Sequence, residues 1–289
     1  MNALAASSQQ SPLALICGGG SMPLAVAESV TKSGRGVVLF PLRGVAEGIP
    51  VERFPHHWLY VGQIGKCMRL ARAAGCRDVT FIGAMVRPSL WQVHPDLKAL
   101  SLMPRVVAAF RGGDNHLLSG MGKLFEEEGF RMVGAHEVAP EILVPQGILG
   151  RIEPTPRDRA DIGVGLRCLH AMSPFDVGQA VVVADNNVLA VEAAEGTDQM
   201  LARVAEMRAS GRLRAPAGSG VLVKAAKSTQ DRRFDLPSIG PATVAAVARA
   251  GLAGIAVLAG ETIIAEPNRV VADAERANIF VVGTAGSHA

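Results

Sequence analysis

The densest group of reactive side chains in the sequence lies between positions 224 and 235. Its members are Lys224, Lys227, Gln230, Asp231, Arg232, Arg233 and Asp235. A short apolar run precedes the group and Pro237 and Gly240 follow it, so we predict a strand that leads into a loop. Acidic side chains can bind a divalent cation, and lysine and arginine can bind phosphate. The segment is therefore either a catalytic loop or a solvated loop whose opposite charges cancel.

A second polar group follows a predicted β-hairpin. Thr197 and Asp198 suit the start of a helix, because threonine is a favoured N-cap and an acid stabilises the positive helix end. Glu192 and Glu195 have no such structural role at the end of an apolar strand. We therefore interpret Glu192 and Glu195 as candidate metal ligands or general bases.

Three successive glycines separate an apolar run from a helical pattern near the N-terminus. Pro23 suits the first helical turn, and the free N–H groups of a helix N-terminus attract anions. The pattern is neither G-x-G-x-x-G nor a P-loop, because Pro23 replaces the third glycine and no G-K-S/T follows. It indicates either ligand contact or a plain strand–helix turn. The residues predicted to contact a ligand here are Gly19, Gly20, Ser21 and Met22.

Strands and helices alternate in the first half of the sequence, which is typical of a Rossmann-like parallel sheet. A strand is predicted at 78–83, and Gly83 stands at the end where such sheets bind ligands. Residues 58–61 are a further candidate strand. Phe40–Arg43 follows the second strand without the acid that binds an NAD ribose, which argues against NAD. A hairpin at 178–192 breaks the parallel pattern, so the second half is predicted to be a mixed-sheet α/β domain.

Changes in composition divide the chain into four parts. We expect a disordered lead at 1–11, a Rossmann-like nucleotide-binding domain at 12–137, a Pro- and Gly-rich linker at 138–158 and a C-terminal α/β domain at 159–289. Asp114 precedes a predicted helix of the first domain, where it suits an N-cap.

Composition and charge argue against several classes of function. The 289 residues carry a net charge of +3 without a basic run, and 4% are aromatic, so nucleic-acid binding is not expected. The four cysteines include no C-x-x-C pair and lie mostly in apolar surroundings, so we expect buried, reduced thiols. We find no signal peptide and no apolar run of about 18 residues, so we expect a cytoplasmic protein.

Four segments of the sequence carry a resemblance to a known family. They read GGGSMP, GGDNHLLSG, GQAVVVADNNVLAVEAAEGTDQML and VKAAKSTQDRRFDLPSIG. Together they resemble the LpxI family, the UDP-2,3-diacylglucosamine pyrophosphatases of lipid A biosynthesis in Gram-negative bacteria. The last two segments are long and unusual, and the resemblance extends over nearly the whole chain. The second segment often reads GDD in the family, whereas Gly113-Asp114-Asn115 stands here.

The resemblance implies two domains with the substrate held between them. The implied reaction is hydrolysis of UDP-2,3-diacylglucosamine to UMP and 2,3-diacylglucosamine 1-phosphate, with a divalent cation, usually magnesium. The essential acid of the family falls on Asp231, and Asp235 is the second acid of the motif. Lys227 and Gln230 are further catalytic candidates. The implied substrate-binding residues are the glycine turn with Gly83, Asp114, Thr197 and Lys224, and the implied metal ligands are Asp231, Asp235 and Glu195.

The residues agree with diphosphate hydrolysis, which needs neutralised phosphate oxygens and a positioned water. Two other functions stay open, a non-catalytic nucleotide-lipid binding protein and another sugar-nucleotide enzyme on a Rossmann domain. The role of Asp231 also stays open, since it could be a metal ligand or a general base. A diacyl substrate resides in a bilayer, so we expect peripheral contact with the inner membrane. We also expect a homodimer.

Overall fold

The computed structural model describes residues 10–83, 93–101, 114–175, 177–227, 231–234 and 236–285, with the backbone alone for 114–118. The chain divides into two compact units. Unit 1 contains the chain up to Glu141 together with the segment 231–235, and unit 2 contains the rest. Nine residues of the predicted disordered lead lie outside the described part of the chain.

The core of unit 1 is a parallel four-stranded sheet. Its strands are β1 (Leu13–Cys17), β2 (Val37–Pro41), β3 (Asp78–Ile82) and β4 (Arg131–Met132), in the order β2-β1-β3-β4. The described helices are α1 (Met22–Lys32), α2 (Ile64–Ala73), α3 (Leu97–Ser101), α4 (Asp114–Glu127) and α5 (Ala135–Val138). Every residue of β1 and β2 is buried. These strands are therefore continuous apolar runs, as expected in a parallel sheet that is covered on both faces.

Residues 56–59 extend this sheet beyond β2. They run parallel to β2 as isolated bridges, one of them between Leu42 and Leu59. The Leu59 amide donates to the Pro41 carbonyl at 3.0 Å, and the Arg43 amide donates to the Leu59 carbonyl at 2.8 Å. The candidate strand predicted at 58–61 therefore forms only isolated bridges, and these hold the segment at the carboxyl end of β2.

The core of unit 2 is a mixed six-stranded sheet. Its strands are β5 (Gly147–Leu149), β6 (Ala180–Ala184), β7 (Asn187–Val191), β8 (Val221–Lys224), β10 (Gly254–Leu258) and β12 (Phe280–Thr284), in the order β5-β12-β10-β8-β6-β7. β9 (Ser238–Ile239) and β11 (Ile263–Ile264) form a separate pair. The helices are α6 (Pro156–Met172), α7 (Gly196–Ala209), α8 (Pro241–Arg249) and α9 (Pro267–Arg276). No helix in the described part of the chain is long and apolar enough to cross a bilayer.

Strand direction in unit 2 changes from the centre of the sheet to its edges. β8, β10 and β12 are parallel, whereas β5 and the β6–β7 hairpin are antiparallel to their neighbours. Asp185 and Asn186 connect the hairpin with φ angles of 55° and 59°, the left-handed conformation that a tight hairpin turn requires. The parallel sheet of unit 1 and the mixed sheet of unit 2 confirm the predicted fold class.

The segment predicted to link two domains, 138–158, carries regular structure. The division between the units falls after Glu141, and β5 lies within the segment and pairs with β12. The segment ends at the first turn of α6, where the Thr155 hydroxyl accepts from the Asp158 amide at 3.2 Å. This bond caps the helix and fixes its start.

The cysteines are packing groups. All four are free, and Cys17, Cys67 and Cys76 are buried. Burial raises the pKa of the Cys17 and Cys67 thiols to about 12 and that of Cys76 to about 11. These three side chains are therefore neutral thiols at neutral pH and behave as small apolar groups.

Candidate functional site

Asp231 begins a tight turn that ends at Phe234 and belongs to unit 1. The Phe234 amide donates to the Asp231 carbonyl at 3.0 Å, and the Arg233 amide donates to the Asp231 carboxylate at 3.1 Å. The second bond is the Asx-turn contact, in which an aspartate side chain fixes the backbone two residues further on. The local sequence D-R-R-F thus orients its own carboxylate.

The guanidinium of Arg233 holds both oxygens of the Asp231 carboxylate. Its Nη2 lies 2.8 Å from Oδ2 and its Nε 3.1 Å from Oδ1, while Nη1 lies 2.6 Å from Oε1 of Glu126 on α4. The hydrogen bonds from Arg233 lower the pKa of Asp231. At neutral pH the carboxylate is therefore ionised and fixed in direction.

Phe234 anchors this turn in the apolar core of unit 1. Its ring centroid lies 6.1 Å from that of Phe81 in β3. The ring also packs on Gly122 of α4, where a Cβ atom would lie 2.1 Å from the ring Cζ. Gly122 and Glu126 are one helical turn apart and share a face of α4. One helix face therefore supports both the ring of Phe234 and, through Glu126, the arginine that holds Asp231.

Unit 2 contains an open cleft of about 340 Å³ at the start of two helices. Its lining residues are Glu195, Gly196, Thr197, Asp198, Lys224, Ser238, Ala242 and Thr243. α7 begins at Gly196 and α8 begins at Pro241, so both helix N-termini adjoin the cleft. Helix N-termini carry partial positive charge and free N–H groups, and Lys224 adds a full charge. The cleft therefore suits an anion such as phosphate.

A chain of hydrogen bonds fixes Lys224 in this cleft. Lys224 is 7% exposed, and its Nζ donates to Thr197 Oγ1 at 3.0 Å and to the Ser238 carbonyl at 3.1 Å. The Thr197 hydroxyl donates in turn to Glu192 Oε1 at 2.9 Å. Lys227, another predicted site residue, is half-buried just after β8. The head group of Lys224 is thus held in place before any ligand arrives.

Glu192 lies at the end of a strand as expected, whereas Thr197 is not the N-cap that the sequence suggested. The N-cap of α7 is Glu195, and Thr197 lies inside the helix, where its hydroxyl bridges Glu192 and Lys224. Glu192 also accepts from the Gln179 amide at 2.9 Å. Both groups therefore position Lys224, because the Thr197 hydroxyl accepts from the ammonium group and donates to Glu192. Glu195 forms an ion pair with an arginine of its own helix, Arg203, at 3.0 Å.

The glycine turn lies at the carboxyl edge of the sheet in unit 1. Gly20 and Gly83 have φ angles of 90° and 102°, which glycine adopts without strain. A Cβ atom at Gly83 would lie 2.7 Å from the Gly19 carbonyl oxygen, so the turn and the end of β3 approach each other closely. Ser21 and Met22 lead into α1 at the same edge. Open α/β sheets bind ligands at this edge.

Several predicted site residues lie outside the described part of the chain. Gln230 and Asp235 are among them, and Asp114 begins α4 with its backbone alone described. Of the predicted metal ligands, Asp231 belongs to unit 1 and Glu195 to unit 2. Within the described residues, no three His, Cys, Asp or Glu side chains are grouped as a metal-binding site would require.

Sequence reasoning missed two contributors to these groups. Glu126 holds Arg233 from 107 positions away along the chain, and neither residue type nor spacing connects the two. Ser238 contributes its backbone carbonyl to Lys224, and a backbone group has no sequence signal. Only the proximity of Ser238 to Pro237 and Gly240, already interpreted as a loop end, pointed towards this position.

These features define a class of protein. Unit 1 has a Rossmann-like parallel sheet with a glycine turn at its carboxyl edge and a fixed, ionised Asp231. Unit 2 has a mixed sheet and a cleft suited to an anion. The combination is typical of α/β proteins that bind nucleotides or other phosphate-bearing molecules.

The chain belongs to the LpxI family. Residues 12–142 match the LpxI N-terminal domain, and residues 145–282 match the LpxI C-terminal domain. A protein of Caulobacter vibrioides (strain ATCC 19089 / CIP 103742 / CB 15) named UDP-2,3-diacylglucosamine pyrophosphatase LpxI is 41% identical over 271 residues, which are 94% of this chain and 96% of that protein. The resemblance inferred from the sequence motifs is thereby confirmed.

Similarity to solved structures is low. The chain aligns with UDP-glucose 4-epimerase of Thermus thermophilus in complex with NAD at 11% identity and a TM-score of 0.29, over 95% of this chain and 85% of that one. It aligns with glycinamide-RNase-transformylase T of Mycobacterium tuberculosis at 13% identity and a TM-score of 0.23, over 63% and 44%. At these TM-scores neither similarity supports an argument about function.

Proposed function

We propose that the protein hydrolyses the pyrophosphate bond of UDP-2,3-diacylglucosamine and releases UMP and 2,3-diacylglucosamine 1-phosphate, as a step of lipid A biosynthesis. The observation that carries the proposal is the 41% identity over 94% of the chain to a protein named UDP-2,3-diacylglucosamine pyrophosphatase. Two groups of side chains, one in each unit, support the chemistry.

The cleft of unit 2 supports the proposal because its charge suits a phosphate group. Lys224 is buried and already hydrogen-bonded, so little reorganisation is needed when an anion binds. The N-termini of α7 and α8 add partial positive charge. Phosphoryl transfer passes through a transition state in which charge spreads over the phosphoryl oxygens. A fixed cation therefore stabilises the transition state as well as the bound substrate.

Asp231 supplies one of the carboxylates that a magnesium site would need. Magnesium takes one or two carboxylates together with phosphate oxygens and water, and Asp231 is an ionised carboxylate with a fixed direction. We propose Asp231 as the principal protein ligand, with Asp235 of the same unit as a further ligand, and Glu195 as a ligand stays a prediction. When bound, the ion would neutralise charge on the diphosphate.

In the proposed reaction, a water oxygen forms a bond to one phosphorus while the bond from that phosphorus to the bridging oxygen breaks. Asp231 accepts a hydrogen bond from the water and orients it. Its lowered pKa makes it a weak base, so the proton leaves to solvent or to a phosphate oxygen. In unit 2, Lys224 would offset the charge of a phosphate group bound in its own cleft.

The direct test is a hydrolysis assay with the full-length protein and UDP-2,3-diacylglucosamine in detergent micelles. We expect UMP to form with magnesium, to be lost with EDTA and to return when excess magnesium is added. Asp231→Ala is expected to lower kcat by about 100-fold, because the reacting water loses its orientation. The matched control is Asp273→Ala, which removes an acid of α9 that pairs with Arg269 and Arg276 and is expected to retain activity.

Three results would overturn these assignments. Substrate that binds without release of UMP would indicate a non-catalytic nucleotide-lipid binding protein. Release of UDP in place of UMP would indicate a different sugar-nucleotide enzyme. Equal turnover of Asp231→Ala and wild-type protein would remove Asp231 from the mechanism.

We further propose that the protein acts on its substrate from the cytoplasmic surface of the inner membrane, as a homodimer. Two acyl chains retain the substrate in the bilayer, so we expect the protein to meet it at the membrane surface. Co-sedimentation with substrate-bearing vesicles tests the contact, and light scattering tests the dimer. Protein that stays entirely in the supernatant, or a monomer mass, would contradict the respective proposal.

A further inference from the structure

A cluster of aromatic and cationic side chains lies at the carboxyl end of β2. The guanidinium carbon of Arg43 is 5.4 Å from the ring centre of Trp58 and 5.5 Å from that of Tyr60. Tyr60 also contacts His94, with ring centroids 4.4 Å apart and the rings tilted by 38°. The chain contains one tyrosine and two tryptophans. Two of these three scarce side chains therefore meet at one place.

Backbone hydrogen bonds place this cluster beside the glycine turn. The Arg43 amide donates to the Leu59 carbonyl at 2.8 Å, which fixes the two segments together. Cys17 at the end of β1 pairs with Pro41 at the end of β2. Gly19 and Arg43 each stand two residues beyond this pair. Both segments therefore leave the same edge of the sheet, where the Leu42 amide donates to the Cys17 carbonyl at 3.1 Å.

A purely structural role does not account for the exposure of the cluster. Arg43 is exposed, and Tyr60 is 41% exposed. Within the described residues, the side chain of Arg43 contacts the two rings but forms no hydrogen bond or ion pair. A cation over exposed rings contributes little to stability. The guanidinium thus lies against two rings while, within the described residues, its N–H donors stay available for an acceptor.

We propose that Arg43, Trp58 and Tyr60 form a platform that binds the nucleobase of a uracil nucleotide, an inference that rests on the proposed function. In sheets of this kind the nucleotide phosphate lies at the first glycine turn, and its ribose extends to the end of the neighbouring strand. Arg43 stands at that strand end. Planar bases stack on aromatic rings and on guanidinium planes. The carbonyl oxygens of uracil also accept the hydrogen bonds that arginine donates.

The fluorescence of Trp58 tests the platform without changing it. The other tryptophan, Trp91, lies outside the described residues, and Trp91→Phe leaves Trp58 as the sole indole. UMP is expected to quench Trp58 in a saturable manner over micromolar to millimolar concentrations. Ribose 5-phosphate, which has the sugar and phosphate without the base, is expected to leave the emission unchanged. An equal response to both compounds, or no response to UMP, would overturn the proposal.

Steady-state kinetics test the same platform during turnover. Tyr60→Leu is expected to raise KM about tenfold and to change kcat by less than about twofold, because the base is remote from the reacting phosphorus. Tyr60→Phe retains the ring, so its KM is expected to rise much less than that of Tyr60→Leu. Thermal melting checks that both variants fold. A loss of kcat at unchanged KM, or an equal loss in both variants, would contradict base stacking.

These experiments can refute the hydrolase proposal and the nucleobase-platform proposal independently of each other. If wild-type protein releases no UMP but Trp58 responds to UMP and not to ribose 5-phosphate, the hydrolase proposal fails and the platform stands. If UMP is released but Trp58 does not distinguish the two compounds, the platform fails and the hydrolase proposal stands.

Discussion

Arg233 contacts Asp231 and Glu126 together, and these contacts set the properties of the acid on which the proposed reaction depends. A guanidinium between two carboxylates keeps its charge, so it keeps the pKa of Asp231 low. A carboxylate of low proton affinity is a good oxygen ligand and a weak base. At the scale of single residues, the geometry therefore favours orientation of water or binding of metal over proton abstraction by Asp231.

Replacing Arg233 by glutamine is expected to raise the pKa of Asp231, because its charged hydrogen-bond partner is lost. The acid limb of kcat/KM against pH should then move to higher pH, since Asp231 takes up its proton at higher pH than in the wild-type protein. We expect kcat/KM at neutral pH to fall about tenfold as the carboxylate loses its fixed direction. Pre-steady-state or steady-state rates measured across the acid range provide the profile.

Arg232→Gln is the matched control for this change. It removes the same charge one position earlier, from an exposed side chain, and is expected to leave the acid limb in place. If the acid limb of Arg233→Gln also stays in place, Arg233 does not set the protonation of Asp231.

Lys224→Met removes the buried charge of the unit 2 cleft while keeping a side chain of similar length. We expect kcat/KM to fall by about 10- to 100-fold, because a hydrogen bond to a charged group is lost. Ser238→Ala is the control, since Lys224 bonds to the backbone carbonyl of Ser238, which this change retains. An equal loss of kcat/KM in both variants would mean that the cleft is disrupted and that the charge of Lys224 is not the cause.

At the scale of elements, α4 supports the turn that carries Asp231. Gly122 leaves the space that the Phe234 ring occupies, and Glu126 holds Arg233 one turn further along. Hydrogen bonds within the turn fix its internal geometry, and its contacts with this helix fix its position in unit 1. The elements that position the acid are therefore α4 and the end of β3.

Gly122→Ala is expected to lower kcat by about 10- to 100-fold, because the new Cβ would lie 2.1 Å from Phe234 Cζ and the ring must move. The stability of α4 itself should not decrease, since alanine favours a helix over glycine by about 1 kcal/mol. Kinetics and thermal melting separate the two effects.

Phe234→Leu combined with Gly122→Ala tests the cause of that loss. The smaller side chain leaves room for the new methyl group, so the double variant should be more active than Gly122→Ala alone. Additive losses in the two single changes would show that the ring and the glycine act independently.

At the scale of the whole molecule, one buried network stands at the opposite end of the sheet from the glycine turn. Asp78 at the start of β3 is 5% exposed and pairs with Arg35 and Arg131. Burial acts to raise the pKa of Asp78, but the hydrogen bonds from Arg131 and Arg35 outweigh it and leave the pKa below its usual value. The ionised form therefore stabilises the folded protein.

Asp78→Asn is expected to lower the free energy of unfolding by about 3 kcal/mol at neutral pH, because two arginines lose their partner. The wild-type protein should begin to lose this advantage when the pH falls below about 4, the usual pKa of aspartate in an unfolded chain. The loss should be complete once the pH lies below the lowered pKa of Asp78 in the folded protein, where the carboxylate is protonated. The difference between variant and wild type should therefore shrink in acid. Urea unfolding at several pH values measures it.

Glu275→Gln provides the comparison in unit 2. This acid pairs with Arg151, which is 86% exposed, so its loss should change the urea midpoint less than Asp78→Asn does. A larger effect at Glu275 than at Asp78 would contradict the importance of burial.

The amino-acid sequence by itself determined the local structure and the fold class. Apolar runs predicted β1 and β2, the glycines predicted the turn before α1, and Asp185-Asn186 predicted the β6–β7 hairpin. These features depend on residues that are close together in the sequence, so their side-chain pattern and backbone freedom can be recognised from the sequence alone. The motifs also identified the family and singled out the loop at Asp231.

Only the tertiary structure decided which groups meet. Arg233 binds Glu126 from 107 positions away, and Thr197, expected as an N-cap, bridges Glu192 and Lys224. Such contacts depend on strand order and on which helix face packs inwards, and no local pattern encodes either. The loop at 224–235 was ambiguous in sequence because charge alone does not distinguish a solvated loop from a site. In the structure Arg233 holds Asp231 and Phe234 anchors the turn, an order that only tertiary packing supplies. The assignment of this loop as a site stays a prediction, which the hydrolysis assay tests.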